Sequence, residues 1–169
     1  MLDFYLKNSV SFLKSKKFEF DKNRGFITFQ PLGVILGIMP WNFPFWQVFR
    51  FAIPVLLSGN TIILKHSLNV PSCANLIEQI FSKLDSPKSI YQNIRLSNQD
   101  TNNLIKNPIV SAVSFTGSTK AGMSVAKTSG STLKKVLLEL GGNDPYLIFS
   151  DASIDDAIHS CIEGRLLNS

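Results

Sequence analysis

Val34-Ile35-Leu36-Gly37-Ile38-Met39 is an unbroken apolar run, preceded by Pro31 and Gly33 and closed by Pro40. It is short, partly β-branched and bounded by residues that stop regular structure, so it reads as a strand buried on both faces. The chain downstream repeats the theme. Phe45 to Leu57 has helical spacing, with Pro54 as a point of kinking and Gly59-Asn60 as its end. Thr61-Ile62-Ile63-Leu64 is a second apolar strand, ending at Lys65. Pro71 stands at a helix start, and Ala74, Ile77, Ile80, Phe81 and Leu84 form that helix's apolar face.

The same alternation continues to the end. Asp85 to Ser89 reads as a turn, Tyr91 to Leu96 as a strand, and Gln99 to Lys106 as a short helix closed by Asn107-Pro108. Ile109 to Phe115 is a third buried strand leading into Thr116-Gly117-Ser118; a small-residue helix over 119–129 and a strand over 134–138 follow. Gly141-Gly142 breaks the pattern, Tyr146 to Phe149 predicts another strand, and Ser153 caps a last helix with Asp155 and Asp156 in its first turn. Upstream, Phe4, Tyr5, Val10, Phe12 and Leu13 predict an amphipathic helix over 3–18, followed by a turn over 21–25 and an edge strand over 26–29. Strands alternating with helices at these spacings predict an α/β fold: a partial Rossmann-like open sheet, mostly parallel, with flanking helices.

Composition bounds the function. The chain has 169 residues, 44% hydrophobic and 17% charged, enough for one domain with a core. No apolar run approaches the ~20 residues needed to span a bilayer, and Met1-Leu2-Asp3-Phe4 does not open a secretory leader, so a soluble cytoplasmic protein is expected. The two cysteines, Cys73 and Cys161, have no companions at metal-ligand spacing, which argues against a metal site and a disulfide framework. The net charge of +5 comes from scattered lysines, with one local concentration at Lys14, Lys16 and Lys17, and so reads as a solvated basic surface and not a nucleic-acid site.

In an open parallel sheet, ligands bind beyond the carboxyl ends of the strands. Those positions read Pro40-Trp41-Asn42, Lys65-His66-Ser67, Thr116-Gly117-Ser118 and Glu139-Leu140-Gly141-Gly142. Gly117 and Ser118 suit an anion at a helix start, or are an ordinary cap. Lys65 can reach a ribose hydroxyl or a phosphate, or snorkel to solvent. Glu139 is either a partly desolvated base or a strand-end carboxylate in water. Asn42 can donate to an oxyanion or cap the helix that follows.

Pro31-Leu32-Gly33-Val34, Pro40-Trp41-Asn42-Phe43-Pro44, Gly59-Asn60-Thr61, Phe115-Thr116-Gly117-Ser118-Thr119 and Leu138-Glu139-Leu140-Gly141-Gly142 together resemble, in order and spacing, the motifs of the NAD(P)-dependent aldehyde dehydrogenases. The resemblance runs over residues 1–169 and covers an internal part of the family's longer chain: a partial dinucleotide-binding domain, with a helix and turn over 1–25 and no catalytic domain. It implies that Ile38, Met39, Pro40 and Trp41 line the nicotinamide cleft, that Lys65 holds the adenosine ribose, and that Gly117, Ser118 and Leu140 belong to the cofactor site. It makes Asn42 the oxyanion donor and Glu139 the base that activates water against a thioester.

Lys65-His66-Ser67-Leu68 departs from many NAD-using members, which place proline, serine and a ribose-binding glutamate after the lysine. Leu68 removes a carboxylate that would repel a 2′-phosphate, so either NAD or NADP is expected, with NADP favoured. The Lys-His-x-x-Asn-Val-Pro form resembles a succinate-semialdehyde dehydrogenase branch. Arg50 falls with Phe43 and Gln47 on one helix face, where a guanidinium can pair with the substrate's distal carboxylate or lie at the surface. The family's nucleophilic cysteine follows a segment resembling Arg165-Leu166-Leu167-Asn168-Ser169, and Cys73 and Cys161 read as buried packing residues. The expectation is therefore a small-molecule aldehyde as ligand but no activity by this chain alone. The alternatives are half of a split enzyme completed by a carboxyl-terminal fragment, and a non-catalytic dinucleotide-binding protein.

Overall fold

The computed structural model describes every residue except Lys22, Lys88, Asn168 and Ser169; the end of the Arg165–Ser169 segment, and one position in each of the 21–25 and 85–89 turns, lie outside the described residues. Five strands form one sheet: β3 (Val34–Met39), β4 (Thr61–His66), β5 (Tyr91–Asn93), β6 (Val110–Thr116) and β7 (Lys135–Glu139). Their order is β5-β4-β3-β6-β7 and every pairing is parallel. A separate antiparallel hairpin, β1 (Lys16–Phe20) with β2 (Asn23–Ile27), precedes it.

The apolar runs become strands because both faces are covered. Helices α2 (Pro44–Leu57) and α3 (Pro71–Ser82) pack on one face through Val48, Phe51, Ala52, Ile77 and Phe81, against Ile35, Met39, Ile62 and Leu64. Helices α4 (Asn98–Lys106) and α5 (Thr119–Gly130) cover the other through Ile105 and Val125, against Leu36, Ile38, Val113 and Phe115. Leu36 and Leu64 have no solvent exposure, and each such burial contributes about 2–3 kcal/mol. Gly37 lets Phe51 lie on the sheet: a Cβ there would stand 2.4 Å from the ring.

Turn chemistry fixes where α2 stops. Gly59 has φ +81, and the Asn60 side-chain carbonyl accepts from the Leu32 and Gly33 amides at 2.7 and 3.1 Å, tying the helix end to the entrance of β3. Pro54 sits inside α2 without ending it.

Several sequence expectations are corrected. The helix expected over 3–18 is α1 (Leu2–Phe12), because residues 16–20 pair as β1. The turn over 21–25 shrinks to the hairpin tip, with Phe20 opposite Asn23 and Asp21 at φ 49, and the edge strand expected over 26–29 is the end of β2. Tyr146–Phe149 forms no strand: no described segment offers it a ladder, and Leu147, Ile148 and Phe149 are exposed. β5 is shorter than the expected 91–96, although the Ile94 amide still donates to the Leu64 carbonyl at 2.8 Å. The last helix, α6 (Ile154–Leu166), starts at the expected Ser153 cap but buries no residue.

Candidate active site

The chain leaves β3 for β4 and β5 on one side, then returns to place β6 and β7 on the other. The switch point, where a crevice opens in such sheets, therefore lies between β3 and β6. Strand register brings the expected residues level there. Ile38 pairs with Lys65 and with Phe115, and Phe115 with Leu138. One residue further on, Met39 pairs with His66, and Thr116 with Glu139. The Gly117 amide donates to the Glu139 carbonyl at 3.0 Å, joining the last two strand ends.

From this row the residues diverge. The Ile38 and Met39 side chains belong to the cores on opposite sheet faces, whereas Trp41 stands 57% exposed. Asn42 is exposed and does not start α2, whose N-cap is Phe43 without a side-chain capping bond. Lys65 is half-buried, and desolvation holds its ammonium below the usual lysine range. Ser118 caps α5, its Oγ accepting from the Ala121 amide at 3.4 Å. The preceding first-turn amides of Thr119 and Lys120 have no partner within an α-helix and are available to an anion. Leu140 lies over Gly122, where a Cβ would come within 2.4 Å of its Cδ2.

Among the described residues no helix covers the α2 side of β7, where Leu137 is exposed, while α5 packs on the other side of β6 and β7. A groove of about 400 Å³ results, lined by Met39, Arg50, Ser114, Thr116, Leu137 and Glu139, among others. At its mouth the Arg50 guanidinium stands 3.5 Å from the Glu139 carboxylate and donates to Gln47 Oε1 at 3.1 Å. Of the two readings of Glu139, the structure matches the strand-end carboxylate in water: its side chain is 48% exposed and paired with Arg50, since among the described residues no helix covers the end of β7. Arg50 is half-buried, its helix face turned toward the groove.

A dinucleotide suits this donor set: a partly desolvated ammonium beside free helix-start amides on the β4 and β6 ends, with an exposed indole between them. The aldehyde dehydrogenase family model matches residues 1–169, the whole chain. The chain belongs to the aldehyde dehydrogenase family. It is 39% identical over its full length to the succinate semialdehyde dehydrogenase [NAD(P)+] Sad of Escherichia coli strain K12, covering 37% of that protein. It is 41% identical over 166 residues to a probable succinate-semialdehyde dehydrogenase [NADP(+)] of Synechocystis, covering 98% of this chain and 37% of that one. Among solved structures, the succinic semialdehyde dehydrogenase of Streptococcus pyogenes in complex with NADP+ superimposes with a TM-score of 0.86 at 35% identity, over 90% of this chain and 34% of that one. The chain thus spans little more than a third of the length of the relatives it matches.

Within this aldehyde dehydrogenase segment, neither cysteine lines the groove. Cys73 is half-buried on α3, and Cys161 is exposed, lining a separate cleft with Gly142, Asn143 and Asp144. The buried packing role expected of Cys161 is corrected, because α6 does not dock on the sheet. In the sequence His66 stands out only as a departure from a family pattern. The structure buries it at the end of β4, on the same face as Ile62 and Leu64. Period-two alternation from those residues was the signal that could have placed it inward.

Proposed function

We propose that this chain is the dinucleotide-binding, base-bearing part of an aldehyde dehydrogenase that oxidises succinic semialdehyde to succinate with NADP or NAD. The carrying observation is the level row of strand ends, which sets Lys65, the Asn42 loop, Gly117-Ser118 and Glu139 around one switch point. Lys65 holds the adenosine ribose, and Gly117 with Ser118 and the start of α5 meets the pyrophosphate. The bound dinucleotide supplies the hydride acceptor. Asn42 donates to the carbonyl oxygen as negative charge gathers on it. Glu139 takes the proton of the water that releases the acid. Leu68 leaves the ribose edge without a carboxylate, which favours NADP over NAD.

Arg50 receives the substrate's distal carboxylate. In the mixture with a carboxyl-terminal segment bearing Gly-Gln-x-Cys, replacing it by glutamine lowers kcat/KM for succinic semialdehyde by about thirtyfold, the worth of one charge-assisted pair, and leaves butanal almost unchanged. By itself the 169-residue chain binds dinucleotide without turning over aldehyde, since Cys73 and Cys161 both lie away from the groove.

The test is titration of NADP+ into the Trp46→Phe protein, read by Trp41 fluorescence, beside an aldehyde assay with and without a carboxyl-terminal segment bearing Gly-Gln-x-Cys. Quenching that weakens in Lys65→Ala, with turnover only in the mixture, supports the reading. Turnover by the chain alone that survives loss of both cysteines would sink it.

A further inference from the structure

The Pro40–Phe43 segment between β3 and α2 carries Trp41 and Asn42 and is largely exposed. A loop so open has little packing of its own to hold an amide in one place, and an oxyanion donor needs that. His66 spans its two ends. The ring is 3% exposed; Nε2 lies 3.0 Å from the Pro44 carbonyl oxygen, beyond the loop. Nδ1 lies 3.3 Å from the Met39 carbonyl oxygen, just before the loop, and 2.9 Å from the Ser67 amide. The Ser67 amide also donates to the Met39 carbonyl at 2.9 Å.

These partners decide the tautomer. The Pro44 carbonyl can only accept, so Nε2 carries a proton. The Ser67 N–H approaches Nδ1 as a donor, so Nδ1 offers its lone pair. A neutral imidazole with its proton on Nε2 meets both demands, and the Met39 carbonyl, farther from Nδ1 at 3.3 Å, is already served by the Ser67 amide at 2.9 Å. Lys65, next to His66 on the same strand end, is the expected ribose contact, so one short stretch of β4 bears on both the cofactor and the loop.

We propose that His66 is a positioning residue: a buried imidazole strut, bonded to the Pro44 carbonyl and the Ser67 amide, that fixes the Asn42 loop to the end of β4. It touches no reacting atom. The value of a fixed loop for catalysis rests on the proposed function, but the strut itself does not, and its test needs neither nucleotide nor aldehyde.

The test is backbone ¹⁵N relaxation at Trp41, Asn42 and Phe43 in the free chain, with the imidazole nitrogens observed directly. Wild type gives order parameters near the rigid value of about 0.85 and a neutral ring protonated at Nε2; His66→Asn, whose amide is too short to reach Pro44, falls below about 0.6. His66→Gln, long enough to donate to Pro44, restores the rigid value. His66→Leu lowers it as Asn does; should that variant fail to fold, the Gln and Asn pair still decides. A rigid loop in both the Asn and Gln variants, a mobile loop in both, a mobile wild-type loop, or a ring protonated at Nδ1 overturns the proposal. If the strut holds and NADP+ titration shows no binding, the functional reading fails alone; binding with a loop indifferent to His66 overturns only the strut.

Discussion

The central sheet and the amino-terminal hairpin both carry large apolar side chains, which end in opposite environments. Ile35, Leu36, Ile62 and Leu64 lie between two helical layers, whereas Phe18, Phe20, Phe26 and Ile27 of the hairpin are exposed. The pattern of side chains tells which residues seek cover, and only a facing element supplies it. Stability in this chain therefore belongs to the sheet. Leu64→Ala, at a site closed on every side, is expected to cost about 3 kcal/mol in urea unfolding, while Phe26→Ala, at 73% exposure, changes it by less than about 0.5 kcal/mol. Equal losses at the two sites would break the contrast.

A smaller effect sharpens it within the sheet. Gly37 lies under Phe51, whose Cε1 would stand 2.4 Å from an added Cβ. The ring packs among Ile35, Met39 and Ala52, so giving way to an added methyl disturbs those contacts. Gly37→Ala is expected to cost about 2 kcal/mol by overpacking, and Phe51→Leu in the same chain to recover part of that, a coupling absent between distant sites. Strict additivity in a double-mutant cycle would show that the two do not meet.

Lys134 probes the seam between elements. Its Nζ donates to the Ile105 carbonyl at 2.6 Å and to the Asn107 carbonyl, closing the end of α4 from the segment that enters β7. Lys134→Met keeps the stem and removes the donors, for an expected loss of about 1–2 kcal/mol, with protection from hydrogen exchange lost first in α4. Uniform loss of protection along the chain would assign the lysine no local role.

What the sequence made legible follows the same division. The strands over 34–39, 61–66 and 110–116, and the helices between them, could be read because their apolar runs are paired and covered within the chain. The helix expected over 3–18 takes in residues 16–18, and the pairing that makes 16–20 a strand instead depends on partners three to eleven residues away, as in Phe18 opposite Gly25. Tyr146–Phe149 has strand composition without a ladder to join. In the site, strand-end positions identified Lys65, Gly117 and Glu139 one by one, but the Arg50–Glu139 pair and the His66 bridge join residues 89 and 22 positions apart. Such contacts are set by which helix covers which strand, a property that no local motif records.

The smallest effect at neutral pH, and the one whose sign changes meaning with pH, is at Tyr91. Its ring stacks on Phe81 with centroids 4.4 Å apart, and its hydroxyl is buried without a hydrogen-bond partner among the described residues. Burial pushes the phenol above its ordinary range, and the nearby Glu78 carboxylate adds to the shift. Near pH 7 the phenol is neutral folded or unfolded, so Tyr91→Phe removes only an unsatisfied hydroxyl and leaves stability unchanged or raises it by up to about 1 kcal/mol. As pH rises past about 10 the unfolded chain ionises there while the folded one does not, and wild-type stability falls with a slope approaching about 1.4 kcal/mol per pH unit from this group. Tyr91→Phe removes that slope. Urea midpoints of the two proteins should therefore lie close together at pH 7 and separate above pH 10, with the variant the more stable; parallel curves across that range would mean that the phenol ionises as readily in the fold as outside it.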